Sequence, residues 1–181
     1  MRHTVIALTR DRPGALNRAV SLFRRRNINI HSITVGASEI AGVSRLTLVV
    51  DAGEVEQLIK QLRRLLDVLE VTDVTTTAPL ERETALVRVS VTPGSRPEIV
   101  ALCTALGGRV LDVATDAMVL ELTGAPADLE HFVELMRPFG LQELARTGLI
   151  AMVRSPRVQA VSPTTAQPQA NAAGTYVTVL D

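Results

Sequence analysis

Two short stretches, Asp11-Arg12-Pro13-Gly14-Ala15-Leu16 and Asn27-Ile28-Asn29-Ile30, hold the residue types that a free amino acid needs around it. A carboxylate is held by unpaired N–H groups at a helix start, here those of Gly14, Ala15 and Leu16, and glycine lacks the Cβ that would keep a ligand away. An ammonium group needs acceptors. Asp11 offers a carboxylate, and Asn29 offers an amide that both donates and accepts. If the second stretch faces the first, Ile30 or Val35 would line an apolar side-chain pocket. The competing reading is that Asp-x-Pro-Gly is an ordinary strand-to-helix turn.

Other candidate chemistry lacks partners. The sequence contains no HxxxH, CxxC, GxSxG, phosphate-binding loop or GxGxxG pattern, each of which works by placing its groups at a fixed spacing. His3, His31 and His131 fall on three separate elements, so they read as partly exposed histidines rather than metal ligands. Cys103 lies on an apolar helical stripe beside Leu102 and Leu106 and reads as a small buried hydrophobe. The carboxylate pairs Glu54/Glu56 and Asp128/Glu130 open helices, where acids complement the dipole, and Arg24 to Arg26 close one, where cations do. No catalytic residue and no metal site is expected.

The elements that would position these groups follow from periodicity. His3 to Leu8 is a short apolar run ending in the breaker cluster around Pro13-Gly14, so a strand feeds a helix. Ala15, Leu16, Ala19, Val20 and Phe23 recur at helical spacing. Ile28, Ile30, Ile33 and Val35 form a second strand whose alternation slips near His31-Ser32, which predicts a bulge. A third strand runs from Arg45, and Val55, Leu58, Ile59, Leu62, Leu65 and Leu66 predict a helix. Val68 to Thr75 is the fourth strand. After Thr75 to Pro79 the order begins again: strand Leu86 to Val91, helix around Ile99 to Leu106, strands Val110 to Val113 and Met118 to Leu122, helix from Pro126, and at least one more strand within Leu141 to Met152.

The fold class is therefore α+β, with two consecutive βαββαβ, ferredoxin-like units at 3–78 and 79–154. Residues 155–181 carry Pro156, Pro163 and Pro168 among Ser, Thr, Gln and Ala, a composition expected of a disordered, low-complexity tail. Tyr176 to Leu180 alternates as either frayed coil or a short strand.

Composition narrows the function classes. The chain has 181 residues, 46% hydrophobic and 21% charged, with 19 basic and 19 acidic side chains. It reads as a folded protein without the positive field that nucleic acid or an anionic membrane surface would select. Aromatics are only 2%, too few for a base-stacking platform. No run approaches the roughly 20 apolar residues of a membrane span. The single cysteine and the interrupted N-terminal apolar run suggest a cytoplasmic protein without a secretory leader.

The residues also carry a resemblance. DRPGALNRAVSLFRRRNINIHSITVG with the later SRLTLVV resembles the ACT domain that begins the small, regulatory subunit of acetolactate synthase, also called acetohydroxyacid synthase. ERETALVRVSV, GGRVLDV and RPFGLQELARTGLIAMVR resemble the second domain of that family in order and spacing, so the likeness spans residues 2–154. The resemblance implies a non-catalytic subunit. It would activate the large catalytic subunit and confer feedback inhibition by branched-chain amino acids, chiefly valine. Thiamine diphosphate, FAD and Mg2+ would belong to that large subunit.

The resemblance also implies a homodimer, with the effector between the first helix of one ACT domain and the second strand of its partner. By position that selects Gly14, Ala15, Leu16, Asn29 and Ile30. Asp11 stands where many valine-sensitive members carry asparagine, and the family normally ends soon after the closing strand. Two other readings stay open: a stand-alone ACT-type amino-acid sensor controlling another enzyme, and an enzyme in its own right, which the missing catalytic cluster disfavours.

Overall fold

A computed structural model describes residues 1–155. Val5 and Ala7 of one strand and Leu46, Leu48 and Val50 of its neighbour fill one face of a first sheet, where helices close over them. That unit runs β1 (Arg2–Arg10), α1 (Ala15–Arg25), β2 (Asn29–Ala37), β3 (Val43–Asp51), α2 (Val55–Leu62) and β4 (Val68–Asp73). The second runs β5 (Leu80–Ser90), α3 (Arg96–Ala105), β6 (Arg109–Val113), β7 (Ala117–Gly124), α4 (Pro126–Met136) and β8 (Leu141–Arg146), followed by a short β9 (Ile150–Met152). The strand orders are β2-β3-β1-β4 and β6-β7-β5-β8, with β9 pairing β5, and all pairings are antiparallel. Each sheet has one helix-covered face, as a ferredoxin-like α+β unit requires.

The second unit repeats the irregularities of the first. The β2/β3 register slips between Ile30 and Ser32, and the β6/β7 register slips between Val110 and Asp112. The β1/β4 register slips after Leu8, and the β5/β8 register slips after Arg88. At His31 the extra residue changes the phase of the strand. Ile30 pairs with Val50 and Ile33 with Leu48, so both isoleucines reach the core although they are an odd number of residues apart. Ser32 and Thr34 then point to the opposite face, as the period of two demands once a bulge has intervened.

That opposite face is where the two units meet. Thr47 is 3% exposed, and Ile6, Val49 and Thr4 are also buried, although no helix of the first unit lies there. The segment from Thr147 to Met152 covers Ile6, and Thr4 Oγ1 donates to Glu81 of β5 at 3.2 Å. Ala151 packs with Ile6 and Val74 in a small apolar cluster of its own. The Leu149 N–H donates to Ser32 Oγ at 2.9 Å, and Arg45 Nη2 donates to the Ala151 carbonyl at 2.9 Å. β5 is shared: Leu80 to Arg82 pair with β9, and Ala85 to Val89 pair with β8.

One helix is shorter than its pattern. The apolar spacing predicts helix through Leu66, but α2 ends at Leu62, where Arg64 and Leu65 N–H groups turn back three residues to Gln61 and Leu62. The tightened turn keeps Leu65 against the core and leaves Leu66 82% exposed. The tail expectation, save for Ser155, and the Tyr176 to Leu180 alternation fall outside the described residues. Among the described residues, no helix is long and apolar enough to cross a membrane.

Candidate functional site

The strand-to-helix turn is built by backbone hydrogen bonds. The Asp11 N–H donates to the Gly42 carbonyl at 2.8 Å, and the Ala15 N–H donates to the Arg12 carbonyl at 3.1 Å. Gly14 is the N-terminal cap of α1, at φ +82°, and no side chain caps the helix. Ala15 is buried and its amide is occupied. Gly14, Leu16 and Asn17 therefore present the open amides of the first turn among the described residues. The equivalent turn of the second unit is closed, since the Thr92 N–H donates to Ser95 Oγ and the Ser95 N–H donates to Thr92 Oγ1.

Arg18, four residues along the same helix, adds a charge that the spacing of Asp11, Gly14 and Asn29 did not reveal. Its Nε donates to Asp67 Oδ2 at 2.7 Å, Nη2 pairs with the same carboxylate, and Nη1 lies 3.0 Å from where a Cβ on Gly14 would stand. Asp67 is buried. The guanidinium edge that Asp67 leaves free thus lies beside the open amides. An i, i+4 spacing from Gly14 to a basic residue was the available signal, but the partner, 49 positions away, was not local.

Asp11 and Asn29 are both exposed, yet one chain does not bring them together. β1 pairs β3 from Arg2↔Asp51 to Arg10↔Val43, and β2 pairs β3 from Asn29↔Asp51 to Ala37↔Ser44. Asn29 therefore lies at the Arg2 end of the sheet and Asp11 at the Arg10 end. Nine-residue strands separate these ends by roughly 26 Å at about 3.3 Å per residue. Within one chain this register holds the two stretches at opposite ends of the sheet. Ile30 packs against the core and so lines no pocket of its own chain, whereas Val35 is 44% exposed on the edge strand.

Two charge clusters lie elsewhere. His31 Nε2 donates to Asp51 Oδ2 across the β2 bulge, and this hydrogen bond holds the Asp51 carboxyl below its ordinary pKa, with smaller help from the charges of His31, Arg2 and the N-terminus. Arg146 Nε and Nη2 donate to the two oxygens of buried Glu83 at 2.9 and 2.6 Å, and Nη1 donates to Glu130 at 2.6 Å. Donation to Glu83, and less strongly to Glu130, pushes the guanidinium pKa further up against the opposing effect of burial. Both clusters border a cleft of about 620 Å³ between the units, lined also by Thr4, Glu81 and Leu149. Cys103 is fully buried, and desolvation pushes its thiol pKa up, away from the thiolate a nucleophile needs. Among the described residues, no three His, Cys, Asp or Glu side chains converge.

Paired ferredoxin-like units with an uncapped helix start and an open β2 edge define a two-unit α+β class of fold, and comparison places the chain in a family of that class. Residues 6–70 match the ACT domain of acetohydroxyacid synthase small subunits, and residues 82–155 match the family described as small subunit of acetolactate synthase. A probable acetolactate synthase small subunit of Archaeoglobus fulgidus is 44% identical over 85% of this chain and 98% of its own length. The acetolactate synthase small subunit of Bacillus subtilis is 42% identical over 90% of this chain and 96% of its own. The crystal structure of the Thermotoga maritima small subunit superposes with a TM-score of 0.81 at 36% identity, covering 87% of this chain and 99% of that one. The chain belongs to the acetolactate synthase small-subunit family.

Proposed function

We propose that this chain is a non-catalytic regulatory subunit that activates the large catalytic subunit of acetolactate synthase and makes it sensitive to valine bound between two paired ACT domains. The observation that carries the effector reading is the sheet register. Asn29 and Gly14 lie at opposite ends of one chain's first sheet, and β2 is an edge strand whose outer side has no partner among the described residues. A second copy added antiparallel along β2 about a two-fold axis brings the Asn29 end of one chain to the Gly14 end of the other, and an edge strand favours that pairing.

In such a pair the valine carboxylate meets the amides of Gly14, Leu16 and Asn17, and its ammonium meets Asp11 and the partner's Asn29. The extra anionic group of Asp11 strengthens the hold on the ammonium and opposes the nearby carboxylate, which tunes affinity rather than position. Thiamine diphosphate, FAD and Mg2+ are assigned to the large subunit. Inhibition then works by linkage: valine favours the small-subunit arrangement in which the catalytic partner is less active, and the partner must change valine affinity by the same factor.

The test is acetolactate formation from pyruvate by the purified large subunit, with and without this chain, across a valine titration. Activation that valine reverses supports both halves of the proposal. Activation without a valine response retains the subunit role and removes the effector. A chain that neither activates nor co-elutes with the large subunit is instead a stand-alone amino-acid sensor.

A further inference from the structure

The segment Thr147–Met152 stays paired with β5 of the second unit through Ile150–Met152 and touches β2 of the first unit at Ser32 and Thr34, just beyond Asn29 and Ile30. It is fastened to the first unit at three points, of which the first lies on β2: the Leu149 N–H on Ser32 Oγ, Arg45 Nη2 of β3 on the Ala151 carbonyl, and Ala151 among Ile6 of β1 and Val74. Its other end is tied to the second unit, where the Thr147 N–H donates to the Thr84 carbonyl at 3.0 Å and the Thr84 N–H donates to Thr147 Oγ1 at 3.0 Å. Gly148, between these two sets of bonds, has φ +83°, and a Cβ there would stand 2.8 Å from both Ser32 Oγ and Thr34 Oγ1. No L side chain fits that conformation and that space together.

Ser32 and Thr34 reach the strap because the His31 bulge changes the phase of β2 one residue after Ile30. Only the bulged His31 separates Ile30 from a hydroxyl bonded to the second unit's segment. We propose that the strap transmits the state of the β2 edge to the second unit, with Gly148 as a positioning residue that keeps the strap seated on Ser32. This rests on the functional reading above. It adds that effector binding and effector response are separable at residues that touch no effector.

The experiment uses the full chain with its large subunit and compares wild type, Gly148→Ala and Arg45→Met. Valine affinity is read by calorimetry with and without the large subunit, and inhibition by acetolactate formation. Both variants are expected to activate within twofold of wild type and to bind valine alone within threefold. The valine concentration for half-inhibition should rise at least tenfold, and the factor by which the large subunit alters valine affinity should fall toward one.

Arg45→Met leaves the backbone untouched and decides the matter if Gly148→Ala does not fold. Inhibition within threefold of wild type overturns the proposal, as does loss of valine affinity in parallel with loss of inhibition, which would make the strap merely part of the binding site's scaffold. A wild-type chain that activates but neither binds valine nor responds to it overturns the effector reading, and the strap's role with it, before either variant is made.

Discussion

Arg18 and Asp67 form an ion pair that reaches across the first unit and lays the guanidinium over the Cα of Gly14. The buried carboxylate holds one edge of the guanidinium, and the other is left at the start of α1. This geometry gives the glycine two duties: it adopts φ +82°, and it leaves room for the arginine.

A carboxylate introduced at position 14 would compete for the same guanidinium and the same amides. Aspartate tolerates the left-handed region better than most residues, so Gly14→Asp is expected to fold. Valine affinity should fall at least tenfold while activation of the large subunit persists, as measured by calorimetry and by acetolactate formation. Loss of both together would assign Gly14 a structural role.

The repeated βαββαβ order was legible because both units alternate cleanly between period two and period 3.6, and the slip at His31-Ser32 was visible as the pairs Ile28/Ile30 and Ile33/Val35 out of phase. The continuation of α2 through Leu66 was misread, because apolar spacing does not register a chain that tightens its last turn. The turn that opens α1 at Gly14 was legible from residue type and spacing, but its separation from Asn29 by the length of the sheet depends on strand register, which no local pattern encodes. Arg18–Asp67 and the strap on Ser32 likewise join residues 49 and 117 positions apart. The strap's own residues, Thr147 to Met152, carry only a short alternation.

Arg146 holds a buried carboxylate of the second unit. Glu83 is 8% exposed and has both oxygens on Arg146. Arg146→Met leaves an unpaired buried carboxylate, a change expected to cost about 3 kcal/mol, whereas Arg146→Met with Glu83→Met removes the charge as well and should recover most of that loss. Urea unfolding of the two variants and wild type measures the difference, and equal losses in both would show that Glu83 is solvated on its own.

Glycines that look alike in sequence should respond differently. A Cβ on Gly108 would lie 2.8 Å from Cys103 Sγ and 2.9 Å from the Glu121 carbonyl, whereas one on Gly53 meets nothing within 4 Å. Backbone cannot yield as a flexible side chain does, so Gly108→Ala should destabilise by about 2 kcal/mol. Gly53→Ala should stay within about 0.5 kcal/mol of wild type. Thermal melts of the two variants check the contrast, and a neutral Gly108→Ala would mean that α3 and β7 move apart at little cost.

Asp51 provides the pH-dependent contact beside the β2 bulge. Its hydrogen bond from His31 Nε2 is the largest cause of its lowered pKa; desolvation opposes it, and the charges of His31, Arg2 and the N-terminus add smaller lowering effects. A carboxylate whose folded-state pKa lies below its unfolded value, near 3.9, stabilises the fold at any pH above that value. The contribution is lost as pH falls through the lower, folded value. The Asp51 carboxyl resonance should therefore titrate below about 3.9 in wild type and move up in His31→Ala, with the acid-side decline in stability beginning at higher pH in the variant. A midpoint that stays low without His31 would transfer the effect to Arg2 and the N-terminus, and would leave the bulge to be held by the β2/β3 ladder alone.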